Sequence, residues 1–155
     1  TVRGIPQLYY GSEIGMAGNK DNGGDGQIRQ DFPGGWAGDE NNAFTDSGRT
    51  ETQKQFHDYT SKLFTWRKTN DAVHFGKMKH YIPEDNIYIY FRKKKKKSVM
   101  VVINNNLEDK TIALDRFQES ILKHTSGKNI ITGNQIDLKE NLTIEAQTAV
   151  VLELN

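Results

Sequence analysis

No cysteine occurs among the 155 residues, which removes disulfides, thiolate nucleophiles and zinc–thiolate sites and leaves the compartment open. No apolar run approaches the ~20 residues of a membrane-spanning helix, and Thr1-Val2-Arg3-Gly4 opens no charged-then-apolar leader. Net charge is nearly absent as well. With 21 Lys and Arg against 20 Asp and Glu, the formal balance is +1, so no global field draws nucleic acid or an anionic membrane; neither is expected as a partner. At 35% hydrophobic and 26% charged residues, the composition is that of a globular chain with material for one sizeable core or two small ones. Thr1, standing where Met would open a coding sequence, is expected to be an internal cut in a longer chain.

Three textures follow one another along the chain. Ile5-Pro6-Gln7-Leu8-Tyr9-Tyr10 reads as a short buried strand, with Pro6 near its start where a missing N–H is tolerated. Gly11 to Gly48 then shows no period; it holds ten of the 14 glycines together with Glu13, Asp21, Asp25, Asp31, Asp39, Glu40 and Asp46. Structureless stretches longer than ~12–15 residues are uncommon in compact domains and are usually functional or disordered. A helix over 50–71 is predicted next: Thr50 and Gln53 form a capping box, and Phe56, Tyr59, Leu63 and Trp66 recur at helical spacing, widened by Phe64. Such a stripe needs a broad surface to lie on.

From about Gly76 the period becomes two. GKMKHYIP, NIYIYFRK, SVMVVINN, KTIALD, NIITG, QIDL, LTIEA and TAVVLELN alternate or run β-branched and aromatic. They are divided by Pro83-Glu84-Asp85, Lys93–Lys97, Asn104–Asn106, Ser126-Gly127 and Gly133-Asn134. Eight short strands at this spacing predict an antiparallel sandwich of about eighty residues. The division falls at 1–74 and 75–155.

Two local patterns point elsewhere and fall short. Aligning Asp21, Gly23, Asp25 and Gly26 to an EF-hand loop puts Gly at the third ligand position and Phe32 where the bidentate Glu belongs. That pattern fails; no cofactor is expected, although an irregular calcium site stays open. His57, His74, His80 and His124 show no metal-ligand spacing, and no metal residue is assigned. Arg92 to Lys97 could found a nucleic-acid reading, but it lies between two strands with no aromatic interleaved, so a solvated hairpin that discourages edge pairing is expected.

RGIPQLYYGSEIGM resembles the last barrel strand of the α-amylase family of glycoside hydrolases, where G-[IT]-P-x-x-Y-Y-G-x-E is a familiar string. GDGQIRQDFPGGW is similar to the following loop of neopullulanase- and cyclomaltodextrinase-type members, and LFTWRKTNDAVHFGK resembles the eighth barrel helix leading into the C-terminal β-domain. The resemblance covers essentially the whole chain in the family's order. It implies a remnant of a (β/α)₈ barrel over 1–74 and a Greek-key β-sandwich over 75–155, an α+β fragment that is mainly β. The strand would be apolar because it is buried in a barrel, and the loop long and polar because it borders the mouth where sugar binds.

The resemblance further implies retaining chemistry at α-glucosidic bonds, with two carboxylates ~5–5.5 Å apart. In such enzymes those acids sit on strands four, five and seven, so no catalytic residue is expected between Thr1 and Asn155, and the fragment is expected to be inactive alone. Asp25 and Arg29 match the Asp and Arg that neopullulanase-like enzymes turn toward the glucan, and Trp36 is a candidate for stacking on a pyranose. A salt bridge that orders the loop is the competing role for Asp25 and Arg29. Glu13 and Tyr10 are expected to hold the loop rather than touch substrate. The implied partners are an α-glucan oligosaccharide and the rest of the barrel. Isolated, residues 1–49 are expected to be poorly ordered or repacked, with self-association a further outcome. The alternative is a non-catalytic carbohydrate-binding or structural sandwich, against which stands the absence of Trp beyond residue 66.

Overall fold

The computed structural model describes all 155 residues. They divide into two compact units, Ile5–Phe64 and Thr1–Gly4 with Thr65–Asn155.

In the first unit Ile5–Tyr10 joins no sheet. The predicted strand does not form, because a strand is held by its neighbours' hydrogen bonds and none pairs with it; Ile5 stands 96% exposed. Gly11 to Gly48 is not left unordered. It is a succession of 3₁₀ turns, Ser12–Ile14, Lys20–Asn22, Gly24–Ile28 and Asp46–Gly48, closed by local hydrogen bonds. Ile14 and Ala43 are its only buried apolar residues.

Helix α1, Glu51–Thr69, begins where the capping box places it. Thr50 N donates to Gln53 Oε1 at 2.9 Å, and Gln53 N to Thr50 Oγ1 at 3.3 Å. It ends two residues before the predicted 71, because Asn70 leaves the helix to cap α2, Asp71–Phe75. The apolar stripe forms but no residue of α1 is buried, and Phe56 is 49% exposed.

The β-domain has eight strands: β1 Lys77–His80, β2 Ile87–Lys94, β3 Lys97–Asn104, β4 Lys110–Ala113, β5 Ser126–Asn129, β6 Gln135–Asp137, β7 Asn141–Ile144 and β8 Thr148–Leu154. All paired strands are antiparallel. Six form one sheet in the order β1-β2-β3-β8-β5-β6, and β4 with β7 forms a second. Register aligns Phe91, Met100 and Leu152 in one row and Ile89, Val102 and Val150 in the next. These rows face Leu142 and Ile144 of β7 and Leu114, Phe117 and Ile121 beside the short helix α3, Gln118–Ile121. This is the sandwich predicted from the alternation.

Two details depart from prediction. The segment NIITG is a turn: Ile131 and Thr132 N–H donate to Asn129 Oδ1, and Gly133 sits at φ 82°. The strand lies earlier, at Ser126–Asn129, where Gly127 pairs with Leu154; a Cβ on Gly127 would stand 3.0 Å from Leu152 Cβ, so glycine lets the two backbones approach. The five lysines do close a hairpin, turning at Lys95 and Lys96 with Lys95 at φ 54°. That hairpin joins interior strands, so it cannot guard an edge; Lys77 and Lys79 on edge strand β1 are placed for that.

Alternation on β2 and β3 also buries the opposite face, with Val99 and Val101, where α2 packs on both strands with its own Ala72 and Val73 buried. Arg92, 2% exposed, lies on that face. Its Nη2 donates to the carbonyls of Val73 (2.6 Å) and Gly76 (3.0 Å), and Nη1 to that of Thr1 (3.0 Å). A buried cation is tolerated where its donors are met, and here the carbonyls of Val73, Gly76 and Thr1 meet both terminal nitrogens while Nε is left without an acceptor. Desolvation is the chief influence pulling the Arg92 pKa below its ordinary value.

Candidate functional site

Asp25 and Arg29 sit at the two ends of the third 3₁₀ turn, four residues apart and 3.3 Å between Oδ2 and Nη2. Lys20 completes a triad that sequence reasoning missed: its Nζ lies 3.1 Å from the other oxygen of Asp25. Asp25 is therefore flanked by two cations, and all three side chains are more than half exposed. A carboxylate accepts from sugar hydroxyls while a guanidinium donates to them, so the exposed pair can serve both sides of a polyol.

Trp36 belongs to a separate turn. Asp39 Oδ2 accepts from Gly34 N at 2.7 Å and Trp36 N at 3.1 Å, which fixes the backbone and leaves the indole 66% exposed. Asp25, Arg29 and Trp36 line neither the cleft walled by Tyr9, Tyr10 and Ile28 nor the one walled by Phe32 and Phe44.

The clefts are built from other residues. Tyr9, Tyr10, Met16 and Ile28 wall one of about 160 Å³. Tyr10 holds its rim by donating from its hydroxyl to the Gln30 carbonyl at 2.9 Å, the loop-holding role expected of it. A second, of about 400 Å³, is lined by Glu13, Phe32, Phe44, Arg49 and His57 among others. Phe32 and Phe44 tilt together at 4.6 Å between centroids. Arg49, almost wholly buried, donates from Nε to the Ala43 carbonyl at 2.9 Å and so closes the turn before α1. One Glu13 carboxylate oxygen is buried there without a partner. Arg49 carried a faint sequence signal, standing directly before the capping box; the aromatic pair carried none.

The histidines are dispersed. His57 is half-buried on α1 beside Asp58, His74 closes α2, His80 lies edge-on to Tyr88, and His124 follows α3. No group of three or more His, Cys, Asp or Glu side chains is placed to hold a metal ion. No helix is long and apolar enough to cross a membrane.

Residues 78–153 match the family described as the cyclo-malto-dextrinase C-terminal domain. This stretch is homologous to the C-terminal domain of α-amylase-family glycoside hydrolases. An α-amylase of Niallia circulans is 33% identical over 93 residues, 60% of this chain and 14% of that protein. Among solved structures, the α-amylase of Anoxybacillus superposes with a TM-score of 0.69 at 21% identity over 97% of this chain and 29% of its own. The α-amylase of Geobacillus thermoleovorans, solved with acarbose, gives 0.70 at 19% over 98% and 30%. CldA, a cyclomaltodextrin glucanotransferase of three domains, gives 0.70 at 24% over 99% and 30%. At such identities the structural likeness speaks for the fold. The chain spans less than a third of each of these proteins.

Proposed function

We propose that this chain is the C-terminal portion of an α-glucan-acting glycoside hydrolase of the neopullulanase or cyclomaltodextrinase type. Residues 1–74 are the end of its (β/α)₈ barrel, and 75–155 its C-terminal β-domain. The observation that carries this reading is the family match over residues 78–153, joined to a preceding unit whose Ile5, Tyr9, Phe44 and Phe56 stand exposed as barrel-facing side chains would when their neighbours are absent.

The work of these residues is then positioning and contact. The β-domain packs beside the barrel and supports it. The loop contributes to the mouth, where Asp25 and Arg29 take sugar hydroxyls and Trp36 offers a stacking face. Bond cleavage belongs to two carboxylates that this chain does not supply: of its seven loop acids six are exposed and only Glu13 is partly buried, so no rigid element holds a pair at the ~5–5.5 Å that a retaining mechanism needs.

The test joins these residues to their upstream coding sequence and assays maltodextrin, pullulan and cyclodextrin. Turnover by the long protein, abolished when an acid on its fourth or fifth barrel strand becomes an amide, and none by residues 1–155 alone, is expected. Hydrolysis by the 155 residues, or a coding sequence lacking those acids, overturns the reading. Titrating the short chain with maltoheptaose while following Trp fluorescence separates the alternative, because saturable binding there would make it a self-sufficient carbohydrate-binding module.

A further inference from the structure

The β-domain unit gathers three guanidiniums without a carboxylate among them. Arg92 is buried on the sheet face, and Arg3 lines the same recess of about 500 Å³, together with His74, Phe75, Gly76 and Met78. Arg67 adjoins them, its Nη2 donating to the Gly4 carbonyl at 3.2 Å, while His74 Nε2 donates to the Arg67 carbonyl at 2.7 Å. The charges of Arg3 and Arg67 both press on Arg92.

Every partner these cations have is neutral. Arg92 and Arg67 donate to backbone carbonyls, and none of the three makes an ion pair. The nearby acids are engaged otherwise, Asp71 beside Lys94 at 3.7 Å and Glu153 with Asn70 Nδ2 at 2.6 Å. Both Arg92 Nε and Arg67 Nε are buried without an acceptor. Clustered like charge disfavours the fold as it stands, and a ligand that carries negative charge relieves it.

We propose that this recess is an oxyanion site that takes a phosphate group, free or as a monoester. A guanidinium fork matches two oxygens of a tetrahedral oxyanion, which suits Arg3 to close over a phosphate already drawn by the fixed charge of Arg92. The recess is roomy enough for a small ester, and Phe75 and Met78 supply an apolar wall for the attached carbon. The site is independent of the glucan-binding loop, since every lining residue belongs to the β-domain unit.

The experiment is an amide NMR titration of the full 155-residue chain at pH 7 and constant ionic strength, with inorganic phosphate, glucose 6-phosphate and chloride as separate arms. Saturable shifts at Gly4, His74, Gly76 and Met78 are expected with both phosphates, half-complete at roughly 1 mM, where a weak single-site ion pocket falls. Tighter binding of the ester identifies an esterified ligand; equal binding identifies the bare group. Arg3→Gln, at an exposed side chain without hydrogen bonds, is expected to weaken binding at least about fivefold, Arg3→Lys less, and the remote Lys139→Gln not at all. Shifts that chloride reproduces, or that Arg3→Gln leaves unchanged, overturn the proposal.

Discussion

Residues 5–64 and the β-domain have similar means to fold and use them differently. The β-domain places thirteen buried apolar residues in one cluster, fed by facing rows from two sheets. The loop unit buries Ile14 and Ala43, and holds its shape instead by turn hydrogen bonds and by side chains such as Arg49, Asp39 and Tyr10 that bond to backbone. Burial is roughly additive in area, so the first region should carry the stability and the second should tolerate change. A surface that tolerates change is also one free to be shaped by a ligand or by neighbouring chain.

The sharpest way to break this comparison is a matched pair of truncations. Leu152→Ala, at a fully buried site between Met100 and Asn129, should cost about 2–5 kcal/mol in urea unfolding. Phe56→Ala, half exposed on α1, should stay within about 0.5 kcal/mol. Equal losses would show that the helix stripe is seated after all.

A polar substitution inside the β-domain sharpens the contrast at a smaller scale. Asn104 Nδ2 donates to the carbonyls of Glu108, Ile144 and Glu145, and its Oδ1 accepts from Asn106, tying β3 to the end of β7. Asn104→Ala leaves these groups unmet and should cost about 1–3 kcal/mol, read as a lower urea midpoint with an unchanged slope. A neutral result would mean that water replaces the amide, and the junction would count as surface.

The smallest effect is a pH dependence on the β-domain surface. Glu119 accepts from Lys79 and from Tyr81 O–H; the Lys79 hydrogen bond, then its charge, hold the Glu119 carboxyl below its ordinary 4.5. A group depressed on folding contributes stability above its unfolded pKa and loses it as pH falls through the folded value. Between about pH 5 and 3 the parent chain should therefore lose slightly more stability than Glu119→Gln. Parallel curves would remove the pair from the list of stabilising contacts, as many exposed ion pairs deserve.

Much of the β-domain was legible in the residues. Alternation located seven of the eight strands, since a period of two is a direct imprint of a sheet with two unlike faces. The capping box located the start of α1 to the residue, because both of its hydrogen bonds are local. What failed was long-range. NIITG has the β-branched composition of a strand, yet β8 pairs with Ser126–Asn129, where Gly127 admits its backbone. Within the candidate site Asp25 and Arg29 were singled out by the family resemblance, with a salt bridge as their competing role, whereas Lys20 reaches Asp25 only through two consecutive turns, and the Phe32–Phe44 contact spans twelve residues of loop.

By itself the sequence determined what depends on near neighbours: the helix and its cap, the alternation of the strands, and the polar, glycine-rich character of 11–48. Tertiary structure alone decided which apolar segments would become strands and which charges would be buried. Ile5–Tyr10 stayed unpaired because a strand's hydrogen bonds must come from elsewhere in space. Arg92 went inside because folding brought the carbonyls of α2 to meet it.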